Sequence, residues 1–152
     1  MNVRVSNKAV IIRGDKILVT ENRDDAGIFY CLPGGGQEHG ETVHDALKRE
    51  CLEETGLIVE VKDLVYLRDY IGKSHEMYDV HDNVHQVEPM FLCDIINEDN
   101  IGKGISPDTR QTGVVWLDIK SLNNVRFYPS ALKTLIPNIG KEKQSIYLGD
   151  VN

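Results

Sequence analysis

Apolar and polar positions in the first part of the chain are spaced as paired strands. In KAVIIRGDKILVTENR (8–23), two apolar runs flank RGDK, and Gly14 sits where a hairpin turn belongs. FYCLP (29–33) is a short extended segment running into three glycines. GETVHDALKRECLEETGL (40–57) has helical spacing, with Gly56 where the helix stops. LIVEV (57–61) and LVYLRDY (64–70) are β-branched and apolar, and MFLCDII (90–96) and TGVVWLD (112–118) read as further strands. DIKSLNN (118–124) predicts a short helix, and PSALKTLIP (129–137) another, with Pro129 near its start and Pro137 at its end. This order predicts an α+β fold, an α/β/α sandwich with a mixed β-sheet between helices. IGKSHEMYDVHDNVHQVEP (71–89) fits no element, and loops of that length are usually functional or mobile.

No repeat, low-complexity tract or linker divides the chain, so residues 1–152 read as a single domain. No apolar run is long enough to span a membrane, and MNVRVSNKAV carries no export pattern. Asp and Glu number 24 against 17 Lys and Arg, a net charge of −7. That balance disfavours broad binding to nucleic acid or anionic lipid, yet leaves room for a small anion held through a metal ion. The three cysteines, Cys31, Cys51 and Cys93, form no C-x-x-C pair, so neither a disulfide framework nor a zinc knuckle is signalled. Three buried thiols in a reducing cytoplasm are expected.

The helix has an unusual charge distribution. At about 100° per residue, Val43, Ala46 and Leu47 share a face that Glu50, Glu53 and Glu54 continue. The apolar stripe is therefore expected to turn acidic part way, where a core-packing helix would keep it. Like charges at these spacings repel. The helix end is itself partly negative, which costs roughly 0.3–1 kcal/mol per exposed acid. One reading is a solvated acidic face partnered by Arg49. The other is an oxygen-only ligand set, which suits Mg²⁺ or Mn²⁺ rather than zinc. LPGGGQEHGE (32–41) reads as a flexible turn, whose three glycines permit positive φ and let the backbone approach a ligand closely. No GK[ST] follows them, so this is not a P-loop. Beside the acidic helix they form a wall for a phosphate–metal site.

From Gly35 there are five residues to Glu41, seven more to Arg49, and then RECLEETGL. This resembles the box of the Nudix hydrolase family (MutT-like), G-x5-E-x7-R-E-U-x-E-E-x-G-U, where U is bulky and aliphatic. Gly35, Glu41, Arg49, Glu50, Glu53, Glu54 and Gly56 all match, and Leu57 fills the last U. Cys51 fills the first as a small buried hydrophobe. The resemblance implies the Nudix fold and hydrolysis of a nucleoside diphosphate linked to another group, with Mg²⁺ (or Mn²⁺) as cofactor. It casts Glu53 and Glu54 as metal ligands, and Glu50 as a third ligand or as the base that deprotonates water. The carbonyl of Gly34 or Gly35 would complete the shell, and Gly35 and Gly36 would line the substrate. Arg49 would hold the glutamates in place, and Glu41 would cap or brace the helix start. A further base outside the box is common in the family, and Glu88 and Asp108 are the candidates.

Other residues have two readings each. His75, His81 and His85 are surface histidines or touch substrate from an overhanging loop. Trp116 reads as core. Tyr70, Tyr78, Phe127 and Tyr128 could stack a base. Arg23 could meet a phosphate or be a solvated strand end. A nucleoside triphosphate, a nucleotide sugar, ADP-ribose and a capped RNA end all fit the box, with long RNA disfavoured by the acidic charge. A homodimer is a family-level expectation. The rival to an enzyme is a non-catalytic Nudix-like sensor, although such modules usually lose box glutamates and none is lost here.

Overall fold

Gly14, at φ 59°, turns the chain between β2 (Ile12–Arg13) and β3 (Lys16–Asp24), so the first hairpin lies where the pattern places it. The structure, a computed structural model, describes residues 2–75 and 81–152. Before the hairpin runs β1 (Arg4–Val10). After it come β4 (Gly27–Cys31), β5 (Gly34–Gly36), α1 (Val43–Thr55), β6 (Ile58–Ile71), β7 (His85–Asn97) and β8 (Gln111–Asp118). A 3-10 segment (Ile119–Asn124), β9 (Phe127–Tyr128), a one-turn helix α2 (Leu132–Leu135) and β10 (Tyr147–Asp150) follow. One sheet has the order β10-β6-β7-β1-β5, the other β2-β3-β4-β9 with β8 also paired to β3. Both mix parallel and antiparallel neighbours: β1 runs parallel to β7, and β6 antiparallel to it.

Alternation along β1 and β3 explains the layering. Val10, Ile17 and Val19 enter one core with Tyr66, Met90, Phe127, Leu132 and Ile136. Ala9, Ile11 and Leu18 enter a second core with Leu47, Cys51, Leu57 and Phe91. Central strands are thus buried on both faces, with α1 on one side and the late helical turns on the other, which makes them apolar and nearly continuous.

Three expectations need correction. The three glycines are a strand, not a turn: Gly34, Gly35 and Gly36 pair with Lys8, Asn7 and Ser6 at the sheet edge. The two apolar runs after the helix form one 14-residue strand, β6. Its pairing with β7 extends to Ile71↔His85, so the end of the unassigned 71–89 stretch is strand. Gln86 and Glu88 hide it from pattern reading because they face cavities rather than core.

On α1 the apolar stripe does not turn acidic; it continues as Leu47, Cys51 and Thr55 in steps of four, all buried. The glutamates occupy the adjoining flank. The helix starts at Thr42, whose Oγ1 accepts from the Asp45 N–H at 3.1 Å. It ends at Gly56, whose φ of 77° is left-handed. Leu47 has no exposed surface. Leu47→Ala is expected to cost about 2–5 kcal/mol, measured as a lower urea midpoint, with turnover kept where the variant stays folded.

Candidate active site

The flank of α1 that leaves the core meets β5 at the sheet edge. A Cβ on Gly35 would overlap the Glu50 carboxylate, so glycine at this position leaves that carboxylate its place against the strand. Arg49 is the hub of the charge network. Its Nε and Nη2 donate to the two Glu41 oxygens at 2.7 and 3.0 Å, and Nη2 also donates to the Gly36 carbonyl at 2.9 Å. Its Nη1 donates to Glu50 at 3.0 Å and Glu53 at 3.2 Å. This forked geometry is one that only a guanidinium provides. Glu41 also accepts from the Glu38 N–H at 2.9 Å. Arg49 and that amide hold its carboxyl down at about 2. Glu41 therefore braces Arg49, while Thr42 caps the helix.

Glu54 sits deepest. Burial pushes its carboxyl up to about 7, against the opposing pull of Lys8 and of the Gly34 N–H, which donates to Oε2 at 2.9 Å. Among the described residues, no three His, Cys, Asp or Glu side chains converge as a preformed metal cage. Glu50 and Glu53 lean on Arg49, and Glu54 on the strand. The donors are nonetheless all oxygens on one flank of one helix, a set suited to a hard divalent cation.

These carboxylates line a cavity of about 550 Å³. Asp108 lies on its wall, and so do three cations, Arg4, Lys8 and Arg110. The cavity can thus hold cations against the glutamates and meet anionic oxygens with its basic side chains. Sequence reading missed those three bases. Lys8 heads the apolar run AVII without standing out from it, and Arg4 and Arg110 left no trace either.

A smaller cavity of about 210 Å³ shares Phe29, Cys31, Gln86 and Arg110 with the first. Here the structure places Glu88, buried and bound by Arg68 Nε at 2.6 Å. Of the two candidate bases, only Asp108 lines the glutamate cavity. Tyr70 and Tyr128 line the smaller cavity, and Tyr128 meets Phe29 edge-on at 5.9 Å. Phe127 is 1% exposed in the core and is not available to stack a base. Tyr78 lies outside the described residues. Arg23 is exposed on β3 and lines neither cavity, whereas its neighbours Thr20 and Asn22 line the larger one.

His75 bonds Asp150 at 2.6 Å, His81 bonds the Tyr70 hydroxyl at 2.9 Å, and His85 lies 3.4 Å from Asp69. Trp116 is half-buried beneath Arg13 and packs on the second core. Cys51 and Cys93 are buried, Cys31 is half-buried, and all three are free thiols.

An acidic helix flank against a glycine strand, within two mixed sheets, is a Nudix arrangement, and the family model for the NUDIX domain matches residues 3–138. The chain belongs to the Nudix hydrolase family, whose members generally use divalent metal ions and act on nucleotide-derived small molecules. It is 35% identical over 94 residues to an ADP-ribose pyrophosphatase of Methanocaldococcus jannaschii, a match covering 60% of this chain and 51% of that protein. The alignment thus spans about half the length of that relative. It is 26% identical over 127 residues to the nucleoside triphosphatase NudI of an Enterobacter species, covering 76% of this chain and 82% of the relative. A Nudix hydrolase structure from Nitrosomonas europaea superposes with a TM-score of 0.75 at 22% identity, over 95% of this chain and 93% of that one. A MutT Nudix hydrolase from Burkholderia pseudomallei gives 0.62 at 28% identity, over 78% and 85%. Among the described residues, no helix is long and apolar enough to cross a membrane.

Proposed function

We propose that the protein is a cytoplasmic, Mg²⁺-dependent pyrophosphohydrolase acting on a nucleoside diphosphate linked to a second group. Nucleoside triphosphates, ADP-ribose and nucleotide sugars are the substrate types. The observation that carries this reading is the single cavity that brings together Glu50, Glu53 and Glu54 with Arg4, Lys8 and Arg110. The named activities of the archaeal and NudI relatives support it. Glu50, Glu53 and Glu54 would hold the metal, with a carbonyl of Gly34 or Gly35. When bound, the ion offsets charge on the phosphoryl oxygens and lowers the pKa of water.

The chain's own residues do the rest. Arg4, Lys8 and Arg110 bind and orient the phosphates. Arg49 fixes the carboxylates. Asp108 or Glu50 takes the proton as water attacks phosphorus and the anhydride P–O bond breaks. The smaller cavity, with its aromatic walls, suits the organic part of the substrate.

The test is phosphate-release turnover on a panel of nucleoside diphosphate derivatives, with Mg²⁺, with Mn²⁺ and with EDTA. Metal-dependent cleavage is expected for one class. Tight Mn²⁺ binding without cleavage of any compound would replace this reading with the sensor.

A further inference from the structure

The last four carbonyls of an α-helix have no partner within the helix. In α1 these are Leu52, Glu53, Glu54 and Thr55, and every one is met. Gly56 N–H reaches Leu52 at 3.0 Å, and Gly102 N–H reaches Thr55 at 2.8 Å. Ser106 N–H reaches Glu53 at 2.9 Å, and the Gln111 Nε2 reaches Glu54 at 2.8 Å. One short stretch, 102–111, supplies three of the four donors. Gly104 lies so close to this helix end that a Cβ would overlap the Glu53 carbonyl oxygen and the Glu54 carbonyl group.

The same stretch carries Asp108, Thr109 and Arg110 onto the cavity wall. Residues 105–110 are all exposed, Ile105 at 80%. Burial of apolar surface therefore does not hold the wall in place; hydrogen bonds do, those to the helix end together with the Arg23 N–H, which donates to the Arg110 carbonyl at 3.0 Å. Gln111 is an uneconomical choice for a purely structural cap. Its Oε1 is buried without a hydrogen-bond partner, and an unmet buried acceptor is destabilising.

We infer that Gly104 and Gln111 are positioning residues that latch the Asp108–Arg110 wall to the backbone of Glu53 and Glu54, so that both sides of the site keep one register. The inference rests on the proposed hydrolase reading. A displaced wall would leave the glutamates without the groups facing them, although neither Gly104 nor Gln111 touches substrate.

The experiment compares Gly104→Ala, Gln111→Met, Asp108→Asn and the two doubles with Asp108→Asn. It measures kcat, KM, thermal midpoint and Mn²⁺ affinity by calorimetry without nucleotide. Gly104→Ala should lower kcat about tenfold or more, and Mn²⁺ affinity several-fold. Gln111→Met should lower kcat several-fold with its thermal midpoint unchanged or raised, an outcome a structural cap would not give. Each double should be slower than Asp108→Asn by clearly less than the latch variant's own factor, because residues acting as a unit are non-additive. If Gly104→Ala does not fold, Gln111→Met and its double carry the test. Multiplicative losses overturn the latch, as do wild-type kcat and Mn²⁺ affinity in both latch variants, or an Asp108→Asn variant with full kcat. A wild type that binds Mn²⁺ but cleaves nothing refutes the hydrolase reading alone, and the Mn²⁺ affinities of the latch variants then decide the latch.

Discussion

Glu54→Gln is expected to remove turnover by roughly 10²–10³-fold or more, the scale for losing one group that stabilises transition-state charge. The substitution is nearly isosteric. A Gln oxygen can still accept from the Gly34 N–H that now reaches Glu54 at 2.9 Å. The backbone carbonyl of residue 54, which accepts from Gln111, is untouched. What disappears is the negative charge that Glu54 carries once ionised to hold a cation. The loss should fall on kcat and on Mn²⁺ affinity, with the circular dichroism spectrum unchanged. Full turnover in this variant would sink the role given to Glu54. Arg49→Lys makes a useful companion: a lysine keeps the charge but cannot serve Glu41, Glu50, Glu53 and the Gly36 carbonyl together.

The helix, its acids and its glycine neighbours were legible in the sequence because they depend on spacing. A fixed separation along one helix puts side chains on one flank whatever the rest of the chain does. The hairpin at Gly14 and the apolar strands were legible for the same local reason. The basic residues of the cavity were not. Arg4, Lys8 and Arg110 come from β1 and from a distant loop, and only the sheet pairing brings them to one cavity. Glu88 shows the converse error. It is an acid in about the right region, but the pleat of β7 turns it into the neighbouring cavity, where Arg68 binds it. Arg23 fails by the same alternation, since its neighbour Asn22 takes the cavity side. The glycine strand was misread because glycine carries no side chain to show a period of two, and only its partners on β1 define it.

The acidic flank should also make stability without metal depend on pH in an unusual direction. A paired surface carboxylate normally stabilises the folded state as pH rises. Glu54 does the opposite, because burial lifts its folded-state value to about 7 from the ordinary 4.5. Between these values the folded protein holds a proton that the unfolded chain has released. Raising pH through the window therefore destabilises the fold. A difference of 7 − 4.5 units bounds the effect at about 3 kcal/mol, and contact with cavity water reduces it. Glu41, held at about 2 by Arg49, acts in the usual sense, and its contribution is lost only as pH falls from 4.5 towards 2, outside this window. Urea unfolding in EDTA at pH 5 and pH 8 should thus show the wild type losing stability relative to Glu54→Gln, which has no proton to release there. Saturating Mn²⁺ should reverse the ranking at pH 8, since a ligand bound only by the folded state stabilises it and the carboxylate must be ionised to bind. Mn²⁺ affinity should accordingly weaken about tenfold per unit as pH falls below about 7. A wild type that holds level with Glu54→Gln between pH 5 and pH 8 in EDTA would show that residue 54 is solvated and ionised throughout. The acidic flank would then be an ordinary wet helix face rather than a site held ready for a cation.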